Sequence, residues 1–277
     1  MSKLNEQSRP TGISELTDED IGAQAGSLLR AASLLKAIAA GVHIGISLAE
    51  VARHTKLPRP TVYRVSQMLE TLGWIERDPS TKRLFLGKEL ALLGLSAQMR
   101  HPSEGIARPL LAALAREIGQ TVYLTMRSGL ESVCVARCES ETQIRTLVLE
   151  VGSRQPLGVG AGSMAILATL PDDEMERIIA ANRERYRERG PFQETAFRAY
   201  LAQARRSAFA AHEGLFTRGV SGIGVAVRDA SGYPIAAVSI AFVADWLDEA
   251  QYEHCVRRIQ STADEIAECL TGARERA

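Results

Sequence analysis

Residues 57–75 read "LPRPTVYRVSQMLETLGWI", and this stretch decides how the first third of the chain is organised. Val62, Val65, Met68, Leu69 and Leu72 recur at spacings of three and four, the apolar stripe of a helix. Pro58 and Pro60 are tolerated at its start, where backbone N–H groups have no intrahelical acceptor, and Gly73 stops it. Opposite the stripe stand Arg59, Thr61, Tyr63, Arg64, Ser66 and Gln67. A helix that only filled a core would not need such a face.

Working outward, Leu28, Ala31, Leu34, Leu35 and Ile38 repeat at helical spacing up to Gly41. The tetrad "SLAE" at 47–50 places Ser47 at an N-cap with Glu50 three residues on, a capping box opening a short helix to about His54. Downstream, "WIERDPSTKRLFL" at 74–86 predicts two short strands joined by a turn through Asp78, Pro79 and Ser80. Three helices and a hairpin in about sixty residues are the layout of a winged helix-turn-helix.

Charge supports a polyanion partner for this segment. The chain has 33 basic and 33 acidic residues, yet residues 28–88 hold ten basic against four acidic side chains, net +6, so the remainder is net −6. Arg59, Thr61, Tyr63, Arg64 and Gln67 are suited to base edges and phosphates at the start of a reading helix. Arg77, Lys82 and Arg83 lie on the hairpin, where a wing meets the DNA backbone, and Ser47, which opens the bracing helix, is expected among the DNA-binding residues with them. The competing reading is an ordinary solvated helix and hairpin. Capped brace, spacing, wing and local charge coincide here, and that coincidence favours double-stranded DNA.

The rest of the chain reads as an α+β domain. Residues 1–24 lack periodicity and are expected to form a flexible tail; 25–87 form the winged helix-turn-helix and 88–101 a linker helix. Leu90, Leu92, Leu93 and Leu95 make that linker too apolar for a lone exposed helix and suggest a contact between subunits. In 102–277, strand-like "TVYLTMR" (121–127), "SVCVARC" (132–138) and "IRTLVLEVG" (144–152) precede a helical "GAGSMAILATL" (160–170). Charged helices run to about Ser207. A hairpin, "GIGVAVRDASGYPIAAVSIAF" (222–242), turns at Asp229 to Gly232, and a long helix starts near Asp248.

Other chemistry finds little footing. Cys134, Cys138, Cys255 and Cys269 show no CxxC spacing and read as reduced thiols, with Cys134 and Cys138 expected on one strand face. The five histidines are scattered, so no metal site or cofactor is expected, and no nucleophile–base pair marks a catalytic residue. There is no signal-peptide pattern and no apolar run of membrane-spanning length, so a cytoplasmic protein without a membrane partner is expected. Gly158, Gly160 and Gly162 crowd the start of an apolar helix, in neither a GxGxxG nor a GxSxG pattern. Such a start can be a tight strand-to-helix turn or a seat for an anion such as a carboxylate.

Residues 28–86, with "SLAEVARHTKLPRPTVYRVSQMLETLGWIERD", resemble the DNA-binding half of the IclR family of bacterial transcription regulators. "VGSRQPLGVGAGSMAILATLP" and "GVSGIGVAVRDASGYPIAAVSIAF" resemble that family's effector domain. The resemblance implies a GAF-like sensing domain, a homodimer or dimer of dimers on a pseudo-palindromic operator, a small organic acid as effector, and repression as the commoner role. It points to Gly160, Ala161, Gly162 and Ser163 at the helix start, with Gly222, Ser239 and Ala241 on the hairpin, as ligand-binding residues. The chain departs from the family pattern: Ser163-Met164 stand where Gly-Lys is frequent, Ala241 where a serine occurs, and His212 falls near a frequent acidic position. These departures point to a larger or aromatic carboxylate. Two other readings stay open: a small-acid enzyme with an accessory helical domain, and a constitutive DNA-binding protein whose second domain only dimerises.

Overall fold

A computed structural model describes residues 26–41, 44–100, 103–140, 149–189, 192–244 and 246–275. The expected tail and most of the strand anticipated at 144–152 lie outside the described residues.

Three helices open the fold: α1 (Ser27–Ala39), α2 (Leu48–Thr55) and α3 (Arg59–Thr71). Strands β1 (Ile75–Arg77) and β2 (Leu84–Leu86) pair antiparallel, Ile75 opposite Leu86. Ser47 caps α2 as its sequence predicts: its Oγ accepts from the Glu50 N–H, and the Glu50 carboxylate accepts from the Ser47 N–H at 2.8 Å. Gly73, at φ +68°, takes the left-handed conformation that ends α3, and the Trp74 N–H donates to the Leu69 carbonyl at 2.9 Å. Leu34, Ile38, Val51, Val62, Leu69 and Leu84 fill one small core.

The α3 stripe is narrower than its periodicity suggests. Met68 and Leu72, expected to face inward, are 59% and 56% exposed, and Ser66, expected on the polar face, is fully buried. Leu28 in α1 is likewise exposed. A domain of about sixty residues has room for only one turn-by-turn contact line per helix, so residues at the stripe's edges fall outside it.

Helix α4 (Lys88–Arg100) leads to α5 (Ser103–Ile118) and a six-stranded antiparallel sheet in the order β5-β4-β3-β8-β7-β6. Its strands are β3 (Val122–Ser128), β4 (Glu131–Cys138), β5 (Arg154–Pro156), β6 (Ala210–Glu213), β7 (Val220–Arg228) and β8 (Pro234–Val243). Helices α6 (Ala161–Thr169), α7 (Asp172–Arg187) and α8 (Glu194–Ser207) fall between β5 and β6, and α9 (Glu249–Glu275) follows β8. Alternation along β7 and β8, interrupted by a bulge at Ile235, splits the sheet into two faces. Ile223, Val225, Val238 and Ile240 pack with Leu111 and Leu114 of α5 and Ile259 and Ile266 of α9. The other face carries Ala237 into a second core with Met164, Ile166, Tyr186 and Phe197 from α6, α7 and α8.

Strand β4 corrects one expectation. Thr125 pairs with Cys134 and Leu124 with Ala136, which leaves Val135 as an extra residue, a β-bulge. The bulge shifts the alternation by one. Cys138 therefore joins the α5/α9 core while Cys134 sits with Tyr123 and Ala241 on the opposite face. Strands β5 and β6 escape a periodicity reading because three and four residues are too few to alternate legibly.

Candidate functional site

Two regions are built from polar groups that the packing does not require. The first is the outer face of α3. Arg59, Tyr63, Arg64 and Gln67 are exposed there and Thr61 is half-buried. The Gln67 amide donates to the Tyr63 hydroxyl at 3.1 Å, tying two of them one turn apart. Arg59 and Arg64 form no ion pair with a described residue. The turn before α3 runs through Lys56, at φ +53°, and Leu57, whose buried side chain anchors it.

The hairpin's three cations separate into two kinds. Arg77 is held by Glu70 of α3 at 2.6 Å, which fixes the wing against the helix. Arg83 donates to the Gly45 carbonyl at 3.1 Å and reaches Glu50 at 3.2 Å, binding the wing to the capped start of α2. Lys82, at φ +58° on the turn, is exposed and forms no ion pair with a described residue. The Asp78 carboxylate accepts from Ser80 and Thr81, and these bonds hold its pKa well below the usual carboxylate range. Ser47 lies in this same network, its hydroxyl and N–H both on Glu50.

The second region is a cavity of about 90 Å³ on the inner face of the sheet, against the start of α6. It brings together all seven residues that the sequence singled out there: Gly160 to Ser163, Gly222, Ser239 and Ala241. Gly160, at φ +83°, makes the entry into α6, with open space where a side chain would stand. The first bond of α6 runs from the Met164 N–H to the Gly160 carbonyl, so the N–H groups of Ala161, Gly162 and Ser163 precede the intrahelical ladder. A Cβ on Gly162 would fall 2.7 Å from Ser239 Oγ, so this hydroxyl stands directly against the helix start. The Ser163 oxygen accepts from the Gly158 N–H at 2.7 Å, which shapes the glycine turn and leaves its proton and one lone pair.

Among the described residues no Asp, Glu, Lys or Arg lines the cavity. His212 does, on β6 opposite Gly222, and is 9% exposed. Burial pushes its pKa down to about 4, so the imidazole is neutral at neutral pH. Phe216 meets it edge-on at 6.5 Å and links the cavity wall to the Tyr186–Phe192–Phe197 cluster. The Cys134 thiol, pushed up to about 11 by burial, is no nucleophile at neutral pH.

Sequence reasoning missed Tyr123, Thr125, Ser132, Ser153, Gly224 and Phe216 as neighbours of this site. Part of the signal was there: Tyr123 and Thr125 alternate with core Val122 and Leu124, so polar-tipped residues share one strand face. Among the described residues no group of three or more His, Cys, Asp or Glu could hold a metal ion, and no helix is long and apolar enough to cross a membrane.

The fold and its two polar regions define a winged helix-turn-helix protein joined to an α+β domain with an internal cavity. Residues 27–79 match the family model described as IclR helix-turn-helix domain, and residues 99–268 match Bacterial transcriptional regulator IclR C-terminal. The chain belongs to the IclR family of bacterial transcriptional regulators. It is 34% identical over 134 residues to the HTH-type transcriptional regulator KipR of Bacillus subtilis, in a match covering 48% of this chain and 53% of KipR. The chain thus spans about half the length of that curated relative. It is 23% identical over 227 residues to the HTH-type transcriptional repressor AllR of Escherichia coli, covering 81% of this chain and 83% of AllR. An IclR homologue of Microbacterium hydrocarbonoxydans, solved with 4-hydroxybenzoate, shares the fold with a TM-score of 0.66 at 20% identity, over 88% of this chain and 99% of that one.

Proposed function

We propose that the chain is a ligand-responsive, sequence-specific DNA-binding regulator, acting as a repressor whose DNA affinity is set by a small organic carboxylate. The observation that carries the DNA reading is the exposed face of α3, where Arg59 and Arg64 have no ion-pair partner among described residues beside Tyr63 and Gln67. Arg and Gln are the side chains that make bidentate contacts with guanine and adenine edges. Lys82 takes a phosphate at the wing. Arg77 and Arg83, held by Glu70 and Glu50, set the wing's position and add positive potential. AllR, a repressor, supports repression as the default.

The carboxylate reading rests on the first-turn N–H groups of α6 together with the Ser239 hydroxyl, all neutral donors converging on one cavity. The Microbacterium homologue with bound 4-hydroxybenzoate supports the same ligand class. At about 90 Å³ this cavity is smaller than the ~150 Å³ that accommodates benzene in an engineered core. A short acid fits the cavity as it stands, and an aromatic one requires the Phe216 segment to yield.

Two copies, joined in part through exposed Leu92, Leu93 and Leu95 of α4, place two winged helices on a pseudo-palindromic site in the cytoplasm. The acid acts by preferring one placement of the two winged helices, and it changes DNA affinity only by the size of that preference. Footprinting on DNA upstream of the protein's own gene tests the reading. Two protected half-sites separated by whole helical turns are expected; uniform protection, or none, would overturn it.

A further inference from the structure

Helix α1 packs Leu34 and Ile38 into the core of the winged domain. By helical spacing Leu29, Ala32, Ser33 and Lys36 lie on its opposite side. A brace helix with one packed face would leave those four to solvent, yet all four are half-buried. Lys36 shows what lies against them: Arg154 of β5 and Glu131 of β4 are near enough for their charges to act on its amine. Strand β5 is the edge of the sheet and pairs with β4, Arg154 opposite Val133 and Pro156 opposite Glu131. Glu131, Val133 and Arg154 share one face there and are themselves half-buried. The outer side of α1 thus rests against the β4–β5 edge of the α+β domain.

The charges at this junction are mismatched. Glu131 has one carboxylate oxygen on Arg154 at 2.7 Å and the other on Arg185 of α7 at 2.5 Å. Lys36 arrives as a third cation and forms no ion pair with a described residue. Burial, and then the Arg154 guanidinium, hold its amine below the ordinary lysine range, with Glu131 opposing them least. Half-burying a cation beside a guanidinium costs free energy that a small apolar patch, Leu29 and Ala32, has to offset. A contact so balanced is readily shifted. The cavity has a direct hold on it, because Ser153 and Gln155, on either side of Arg154, both line the cavity.

We propose that the β4–β5 edge is a docking surface for α1 of the same chain, loosened by repulsion between Arg154 and Lys36, and that movement of β5 changes how firmly the winged domain is held. The contact lies within one chain and is separate from the joining of two copies through α4. Because α1 packs on α2 and α3, fixing α1 fixes the direction of the reading helix. The consequence for DNA rests on the DNA reading above; the contact itself needs neither DNA nor a ligand.

The test has two arms on the full chain. In the first, an amine-reactive diazirine crosslinker is applied to mixed isotopically labelled and unlabelled chains, and the neighbours of Lys36 are mapped by mass spectrometry. Links from Lys36 to residues 131–133 and 154–156 within one chain are expected. Links only elsewhere, or only between labelled and unlabelled chains, would overturn the proposal. In the second, anisotropy on the upstream intergenic DNA compares Lys36→Gln in the natural chain and in Arg154→Gln. In the natural chain Lys36→Gln removes the repulsion and firms the docking. Arg154→Gln frees a Glu131 oxygen for Lys36, so in that background Lys36→Gln loosens the docking. DNA affinity is expected to shift roughly threefold in opposite directions in the two backgrounds, the worth of one part-exposed charge pair. A lysine that merely touched a DNA phosphate would lower affinity in both. Shifts of one sign, or none, would overturn the proposal and leave the DNA reading standing. If the natural chain does not bind that DNA, the DNA reading fails and the crosslinks still decide the docking.

Discussion

Gly224 of β7 touches the backbone of Ala161 where α6 begins: a Cβ on Gly224 would lie 2.4 Å from the Ala161 carbonyl carbon and 2.6 Å from the Gly162 nitrogen. The helix start is therefore seated directly on the sheet, and the cavity's N–H groups are positioned by the absence of a side chain across from them. Gly224→Ala forces backbone apart rather than a flexible side-chain tip. We expect a loss of about 1–3 kcal/mol in the α+β domain's stability, and loss of acid binding, with the helix-turn-helix fold retained. Denaturant unfolding and calorimetry check both.

Arg64 stands exposed on α3, and its removal disturbs no described ion pair. Arg64→Ala is expected to cost about 1–3 kcal/mol in binding to the cognate site, roughly ten- to a hundredfold, with unchanged secondary structure and oligomeric state. Anisotropy on cognate and random DNA distinguishes this from a general loss of affinity. Unchanged cognate affinity would remove Arg64 from the reading face.

Lys82 and Arg83 are neighbours with separable roles. Lys82→Ala is expected to lower the slope of log affinity against log salt by about one while leaving the melting temperature alone. Arg83→Ala also breaks the links to Gly45 and Glu50, so it is expected to lower the melting temperature of the winged domain as well as DNA affinity.

His212 predicts a pH dependence. It titrates near 6.5 when unfolded and near 4 in the folded chain. Between those values the unfolded chain binds the extra proton, so stability rises with pH: the contribution is fully present above about 6.5 and is lost as pH falls toward 4. The full effect is on the order of 3 kcal/mol. The urea midpoint of the natural chain should fall relative to that of His212→Gln from pH 7.5 through 6 to 5; parallel curves would contradict it.

Wherever local chemistry repeats, the sequence was legible. The capping box at Ser47 and Glu50, the glycine stop at Gly73 and the turn at Asp78 each follow from neighbouring residues and stand in the structure as expected. The first-turn glycines of α6 marked one wall of the cavity for the same reason. What stayed hidden depends on registration between distant strands. The bulge at Val135, which turns Cys134 toward the cavity, is set by pairing with β3, and no feature of β4 alone reveals it. His212 rides on a four-residue strand; the resemblance placed it near the pocket, but its approach to the helix start follows only from its position opposite Gly222. Ser66 looked solvent-facing because its polarity, not its angle on the helix, dominated the reading.

The most direct measurement is fluorescence anisotropy of the full chain on its upstream intergenic DNA against random DNA, across a salt series, with and without a panel of aromatic and aliphatic carboxylates. The account predicts a salt-sensitive preference for the upstream DNA that one acid shifts, and that the shift disappears in Gly224→Ala. A preference that no acid alters would contradict the sensing half of the account; equal affinity for both DNAs at every salt concentration would contradict its core.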